Sequence, residues 1–395
     1  MSNRVVITGI GTVTASGLEY RDLWKDMNEG ISHFSREKLY LDSDEEQVVS
    51  KVSDELIQNL IPKRNLKKID KFSSMALIAA EKAMQDANLI INDDCAKDIG
   101  IILGNCTGGW SYVEPQLYDL YKKDLTKLNS YVATSWFPTA PQGEISIKHN
   151  ILGYSKTISA DSLSGGYAIN HALHIIKSGK LKGALVGASE APLTPLVYNA
   201  LLSSGRLSEN GEYNPFTSQA NGQIIGEGAI VLILEEYEYA KSRGAEIIAE
   251  IESVKVGSST KSTFQNLIDD ISTDIDYIFL NASGNITEDR KEIDDLEEVL
   301  GNTFASIRKI PVGTSKKFLG NLLSASIPLD IATACLMLKH QELLSTFEDP
   351  NFAESKYITS YVNKDQASSV ESIVINGKDY HNQSISILIK KNQFE

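Results

Sequence analysis

The sequence predicts an α/β fold made of two related halves, and three observations carry that expectation. Short apolar runs of strand length alternate with segments of helical periodicity along the whole chain, the pattern of sheets buried under helices. The stretch Asp98-Ile99-Gly100-Ile101-Ile102-Leu103-Gly104-Asn105-Cys106-Thr107-Gly108 resembles Asp274-Ile275-Asp276-Tyr277-Ile278-Phe279-Leu280-Asn281-Ala282-Ser283-Gly284, each a strand ending in a polar turn. A helix after Ser162 has a weaker counterpart after Gly320-Asn321. With 395 residues the chain is long enough for two such units, and the break is expected near Arg243-Gly244, giving residues 1–243 and 244–395.

Taken in order, Arg4-Val5-Val6-Ile7-Thr8-Gly9-Ile10-Gly11 has the apolar run and glycine turn of a buried strand, not the pattern of a signal peptide. Residues 69–88 carry apolar side chains at helical spacing and stop near Asn88. Residues 161–177 form a helix with small residues on several sides and Gly179 as its stop. Residues 99–103, 183–187, 229–234 and 373–376 are the clearest further strands.

A net charge of -14 argues against general attraction to nucleic acid or to an anionic membrane, so an acidic partner needs a local basic patch. No apolar run approaches the length of about 20 residues that spans a bilayer. Cys95, Cys106 and Cys335 have neither metal-like nor disulfide-like spacing, which suits a reduced, cytoplasmic protein without a metal. Cys106 is expected to be a small buried residue away from the turn at Ser162. His171 and His174 are three residues apart with no nearby Cys or carboxylate ligands, so they are expected to be packed helix residues.

The opening Val5 to Gly11, the block Gly222-Gln223-Ile224-Ile225-Gly226-Glu227-Gly228-Ala229, and Val312-Gly313-Thr314-Ser315-Lys316 ahead of Gly320 together resemble the β-ketoacyl synthases over essentially the whole chain. The resemblance implies a thiolase-like fold, duplicated and layered αβαβα. It also implies a nucleophilic cysteine at the N-terminus of a buried helix and two histidines that assist malonyl decarboxylation and condensation. A thiol is drawn toward thiolate by a helix N-terminus, and imidazoles donate hydrogen bonds to a developing oxyanion. A hydroxyl ionises far less readily and needs a base.

Carried over residue by residue, the resemblance sets Ser162 at the cysteine position, in Ser159-Ala160-Asp161-Ser162-Leu163-Ser164-Gly165-Gly166. It sets Ser283 at the first histidine position and Asn321 at the second. Lys316 keeps the family's lysine and Asp294 an acidic position, implying a retained charge network. The loop that gates acyl entry in the family has diverged to Asn376-Gly377-Lys378-Asp379-Tyr380-His381-Asn382.

Loss of all three catalytic residues is what the chain-length factors display, the ketosynthase-β subunits of type II polyketide synthases. Asn105-Cys106-Thr107-Gly108-Gly109-Trp110, Gln142-Gly143-Glu144-Ile145-Ser146-Ile147-Lys148-His149 and Gly205-Arg206-Leu207-Ser208 resemble that subfamily. Its usual residue at the cysteine position is Gln, so Ser162 is a departure. The resemblance implies a heterodimer with a catalytic ketosynthase, completion of a polyketide tunnel, and control of chain length. Phosphopantetheine would arrive on acyl carrier protein as the substrate arm, with no cofactor bound directly. Trp110, Val113 and Leu117, with Leu196 and Tyr198, are the expected tunnel residues, ordinary core packing being the alternative. Arg64, Lys67 and Lys68, in the basic cluster Lys63 to Lys71, are the expected carrier-protein dock, a solvated helix start being the alternative. The rival function is an independent Ser162-dependent acyltransferase or malonyl-carrier-protein decarboxylase. It needs a base within reach of Ser162, which neither Ser283 nor Asn321 supplies near neutral pH.

Overall fold

The structure is a computed structural model describing residues 4–40, 44–122, 128–271, 273–303, 309–347, 355–360, 362 and 369–392. In the first half, β1 (Val5–Val13), α1 (Lys71–Asp86), β2 (Ile99–Gly104), β3 (Ser155–Ile158), α2 (Ser164–Lys177), β4 (Gly183–Glu190) and β5 (Gly228–Glu236) follow in sequence. The second half supplies β6 (Ala249–Gly257), α3 (Thr260–Asp270), β7 (Tyr277–Phe279), α4 (Ile286–Thr303), β8 (Ile310–Gly313), α5 (Ser326–His340), β9 (Ile358–Thr359), β10 (Ser372–Lys378) and β11 (Ser384–Lys390).

The first half is ordered β3-β2-β4-β5-β1, with β2 parallel to both neighbours and β5 antiparallel to both of its own. The second is ordered β8-β7-β10-β11-β6 with the same strand directions, and β9 is added outside β8. Each half thus repeats the order third, second, fourth, fifth, first. They meet where Val6 and Ile7 of β1 face Glu250 and Ala249 of β6.

The layers follow from which faces are apolar. α5 is buried from Ser326 through Leu338, so it must be covered all round. It packs on α2, on β10 of its own half and on β5 of the other. α1 covers the outer face of β1 and β5, while α3 packs on β6 and β11 and against α4. The result is the layered αβαβα arrangement expected of a thiolase-like fold. β1 and β4 are buried at every position because both faces of their sheet are covered. Among the described residues no helix is long and apolar enough to cross a membrane.

Glycines set the spacing between layers. A Cβ on Gly104, at the end of β2, would lie 2.4 Å from the Gly165 nitrogen, and one on Gly165 would lie 2.2 Å from the Ser324 carbonyl oxygen. The end of β2, the start of α2 and the turn before α5 therefore touch through backbone. Two expected boundaries shift. The helix expected over residues 161–177 begins at Ser164, because Asp161 takes φ 49° and the Leu163 N–H bonds to the Ala160 carbonyl in a tight turn. The helix expected over residues 69–88 runs over Lys71–Asp86, started by the Asp70 carboxylate, which accepts the Phe72 N–H.

Gly165→Val forces the first turn of α2 off the Ser324 carbonyl. We predict a loss of about 2 kcal/mol or more in urea unfolding; wild-type stability in this variant would refute the close-approach account.

Candidate functional site

A pocket of about 660 Å³ brings Ser162, Ser283, Asn321 and Lys316 together. Ser162 lies in the turn between Asp161 and α2. The Ser164 hydroxyl fixes this turn, accepting the Ala160 N–H at 2.8 Å and donating to the Asp161 carbonyl at 2.6 Å. Among the described residues the Ser162 hydroxyl has no hydrogen-bond partner, so no base is in place to take its proton.

Ser283 donates to Asp289 Oδ1 at 2.8 Å and accepts the Asn285 N–H at 3.1 Å. Asn321 Nδ2 donates to Gln223 Oε1 at 2.6 Å, while Asn321 Oδ1 accepts the Leu323 N–H at 2.9 Å and the Ser326 hydroxyl at 3.0 Å. Gln223 Nε2 in turn donates to the Ala282 carbonyl at 3.2 Å. Gln223 therefore ties together the segments holding the two polar side chains, and both act as structural hydrogen-bonding groups.

Beneath them, Lys316 is buried and its Nζ donates to the Asn281 carbonyl at 2.5 Å. Burial lowers its pKa, opposed by Asp330, Glu292 and Asp289. Glu292 accepts the N–H groups of Asn281 at 2.7 Å and Ala282 at 3.0 Å, and burial raises its pKa to about 7. Asp330 accepts the Ser315 hydroxyl and N–H, and burial raises it to about 6. Asp289, also raised by burial, accepts the N–H groups of Phe216 at 2.9 Å and Gly284 at 3.1 Å.

Asp294 is not part of this network, which corrects the expectation from sequence. Its side chain is 59% exposed and pairs with Arg290 at 3.3 Å along the outer face of α4. Asp289 and Glu292 are three residues apart and share the inward face, whereas Asp294 is two beyond Glu292 and turns outward.

Cys106 also needs correction. Its Sγ donates to Asp161 Oδ1 at 3.4 Å, so it touches the turn at Ser162 after all. Burial and the carboxylates of Glu190 and Asp161 push its thiol up, which keeps it protonated. Glu190 accepts from the Cys106 N–H, both donors of Thr107 and the Ser324 hydroxyl, and burial raises it to about 7. His171 meets the Tyr154 hydroxyl at 3.1 Å and His174 is exposed. Among the described residues no His, Cys, Asp and Glu group is placed to hold a metal ion.

The five expected tunnel residues lie outside the pocket, whose apolar wall is Leu163, Leu201, Leu207, Ile225, Leu323 and Ile327. Trp110, Val113 and Leu117 sit on the helix Trp110–Lys122, with Trp110 edge-on to Trp136. Tyr198 packs behind the wall with Leu207, Ile225 and Leu323 and donates to Gln47. Leu196 is 48% exposed, and its N–H donates to Glu114 at 3.0 Å.

Arg64, Lys67 and Lys68 are exposed and make no ion pair among the described residues, and Lys68 Nζ lies 5.2 Å from the Tyr131 ring centroid. Lys71, at the end of the same cluster, instead pairs with Asp54 at 2.7 Å and with buried Glu227. At the pocket mouth the hairpin between β10 and β11 supplies Lys378, paired with Glu288, and Tyr380, whose ring centroid lies 4.3 Å from the Arg206 guanidinium carbon. Arg206 also faces Asp161 at 3.6 Å. Sequence reasoning quoted Gln223 and Arg206 within motifs but gave neither a role.

Residues 2–240 match the family described as beta-ketoacyl synthase, N-terminal domain, and residues 252–348 match beta-ketoacyl synthase, C-terminal domain. A 3-oxoacyl-[acyl-carrier-protein] synthase 2 of Staphylococcus aureus (strain N315) is 27% identical over 367 residues, 87% of this chain and 88% of that protein. Among solved structures, the ishigamide ketosynthase/chain length factor has a TM-score of 0.86 at 21% identity, over 99% of this chain and 100% of that one. A chain of a type II polyketide synthase acyl carrier protein in complex with its ketosynthase bound to the hexaketide gives 0.76 at 23% identity, over 99% of both chains. At these identities the structural matches establish the fold.

A carboxyl whose folded pKa is raised contributes most to stability while protonated, below its ordinary value of about 4.3, and that contribution is lost as pH rises through the folded value of about 7 for Glu292. Glu292→Gln therefore flattens the decline of unfolding free energy between about pH 5 and 7. Urea titrations at several pH values test this, and equal pH slopes in the two proteins would refute it.

Proposed function

The chain belongs to the β-ketoacyl synthase family, and we propose that within it this chain is a non-condensing subunit, a chain-length factor of type II polyketide biosynthesis. The observation that carries the proposal is the pocket itself. Ser162, Ser283 and Asn321 share it; none of the three is a base near neutral pH, and among the described residues the Ser162 hydroxyl has no hydrogen-bond partner to take its proton. Its buried amine, Lys316, has a pKa lowered by burial against the pull of Asp330, Glu292 and Asp289, and its Nζ is engaged by the Asn281 carbonyl, not by Ser162.

The partner is a catalytic ketosynthase that carries the reacting cysteine and histidines. Support comes from the likeness of fold to a ketosynthase/chain length factor and from the exposed Tyr118, Tyr121, Trp136, Phe137 and Leu196 on and beside the helix Trp110–Lys122. Apolar surface of this kind marks an association face. Trp110, Val113 and Leu117, with Leu196 and Tyr198, then close the tunnel from this side, and the growing chain stops where it meets them. The substrate arm is phosphopantetheine on an acyl carrier protein, whose acidic surface is steered by Arg64, Lys67 and Lys68 in an otherwise acidic chain. The match to a structure described as a carrier protein in complex with its ketosynthase is consistent with that partner class.

Coexpressed with a Cys-containing ketosynthase, the chain copurifies with it. Adding carrier protein yields a product whose length is unchanged by Ser162→Ala and altered by Trp110→Ala or Leu117→Ala. Failure to bind any such ketosynthase, or a product abolished by Ser162→Ala, refutes the proposal. Reversing Arg64, Lys67 and Lys68 to Glu lowers carrier-dependent turnover about tenfold at low salt, with the deficit shrinking as salt rises. Wild-type kinetics in that variant would remove the docking assignment.

A further inference from the structure

Asp70, at the end of the basic cluster, bonds through its carboxylate to both α1 and the helix Trp110–Lys122. Asp70 is 1% exposed. Its Oδ1 accepts the Phe72 N–H at 2.9 Å, starting α1. Its Oδ2 accepts the Ser111 hydroxyl at 2.8 Å and the Tyr112 N–H at 2.6 Å, starting the second helix. A single side chain thus caps two helix N-termini, where a negative charge is favoured by both dipoles.

The neighbouring bonds make the joint rigid. The Tyr112 hydroxyl donates to the Lys67 carbonyl at 2.8 Å, and the Ser135 hydroxyl donates to the Lys68 carbonyl at 2.6 Å. Gly109 allows the approach, since a Cβ there would lie 2.1 Å from the Ser135 carbonyl oxygen and 3.1 Å from the Asp70 Cβ. The backbone of Lys67 is therefore fastened to the first turn of the helix that carries Trp110 and Val113, and that of Lys68 to the short helix Val132–Trp136 packed beside it.

We propose that Asp70 is a positioning residue that locks the carrier-docking segment and the tunnel helix into one body, so that a docked carrier and the wall that stops its chain keep a fixed register. This rests on the chain-length assignment and adds to it a coupling between where the carrier sits and where the product ends. Asp70 touches neither substrate nor partner; it acts through Ser111, Tyr112 and Phe72.

The test uses the complex of the chain with its ketosynthase, comparing wild type, Asp70→Asn, Ser111→Ala and Trp110→Ala. Asp70→Asn keeps the shape but loses the charge and one acceptor oxygen. Amide exchange in residues 110–117 becomes about tenfold faster, while that of α2 stays at the wild-type rate and shows that the variant is folded. With carrier protein supplied, Asp70→Asn gives a mixture of product lengths, and Ser111→Ala gives a smaller shift in the same direction. If Trp110→Ala changes product length but Asp70→Asn leaves both exchange and product length as in wild type, the positioning role alone is overturned. If neither variant changes product length, the positioning role and the chain-length assignment fall together.

Discussion

The rest of the molecule depends on one close approach of backbone, where the end of β2, the start of α2 and the turn before α5 meet without side chains between them. Gly104 and Gly165 make that contact possible, because a Cβ on either would overlap backbone of the next layer. Two central helices can then lie side by side between the half-sheets, and small residues on α2 let α5 reach strands of both halves. The same contact fixes the turn carrying Ser162 at the floor of the pocket. The scaffold is thus held by packing that owes nothing to the identity of the residue at position 162.

Polar groups around Ser283 and Asn321 are satisfied by neighbouring side chains and backbone. Gln223 bridges Asn321 to the Ala282 carbonyl, Ser283 leans on Asp289, and Glu190 gathers donors from the Cys106 turn and from Ser324. Each bond replaces a group that would otherwise be buried without a partner. Lys316 remains buried among Asp289, Glu292 and Asp330, its pKa lowered by burial and held up in part by those three groups. A buried network of this kind stabilises the site's architecture and does not need turnover to account for it.

Much of the architecture was legible in the sequence because it rests on periodicity and on glycine. Alternating runs marked the strands, and the likeness between residues 98–108 and 274–284 pointed to the duplication that the repeated strand order displays. The site was legible in part. The turn at Ser162, the Ser283 turn and Asn321 share one pocket, but the acidic partner of Lys316 was misplaced at Asp294 because helical phase, not the presence of an acid, decides which side chain faces inward. Contacts between distant segments left no linear signal. Cys106 reaches Asp161 across 55 residues, and Tyr380 meets Arg206 from the opposite half. The capping of a second helix by Asp70 is of the same kind, since nothing in residues 63–71 announces Ser111 and Tyr112.

The central claim is that the acyl-carrying function of this pocket is gone although its frame persists. The most direct measurement is the intact mass of the chain after incubation with acyl- and malonyl-loaded carrier protein, alone and in complex with a ketosynthase. An unmodified chain in every case, with the acyl group found only on the partner ketosynthase, is the result expected here. A mass gain equal to the acyl group, mapped to Ser162, would contradict it.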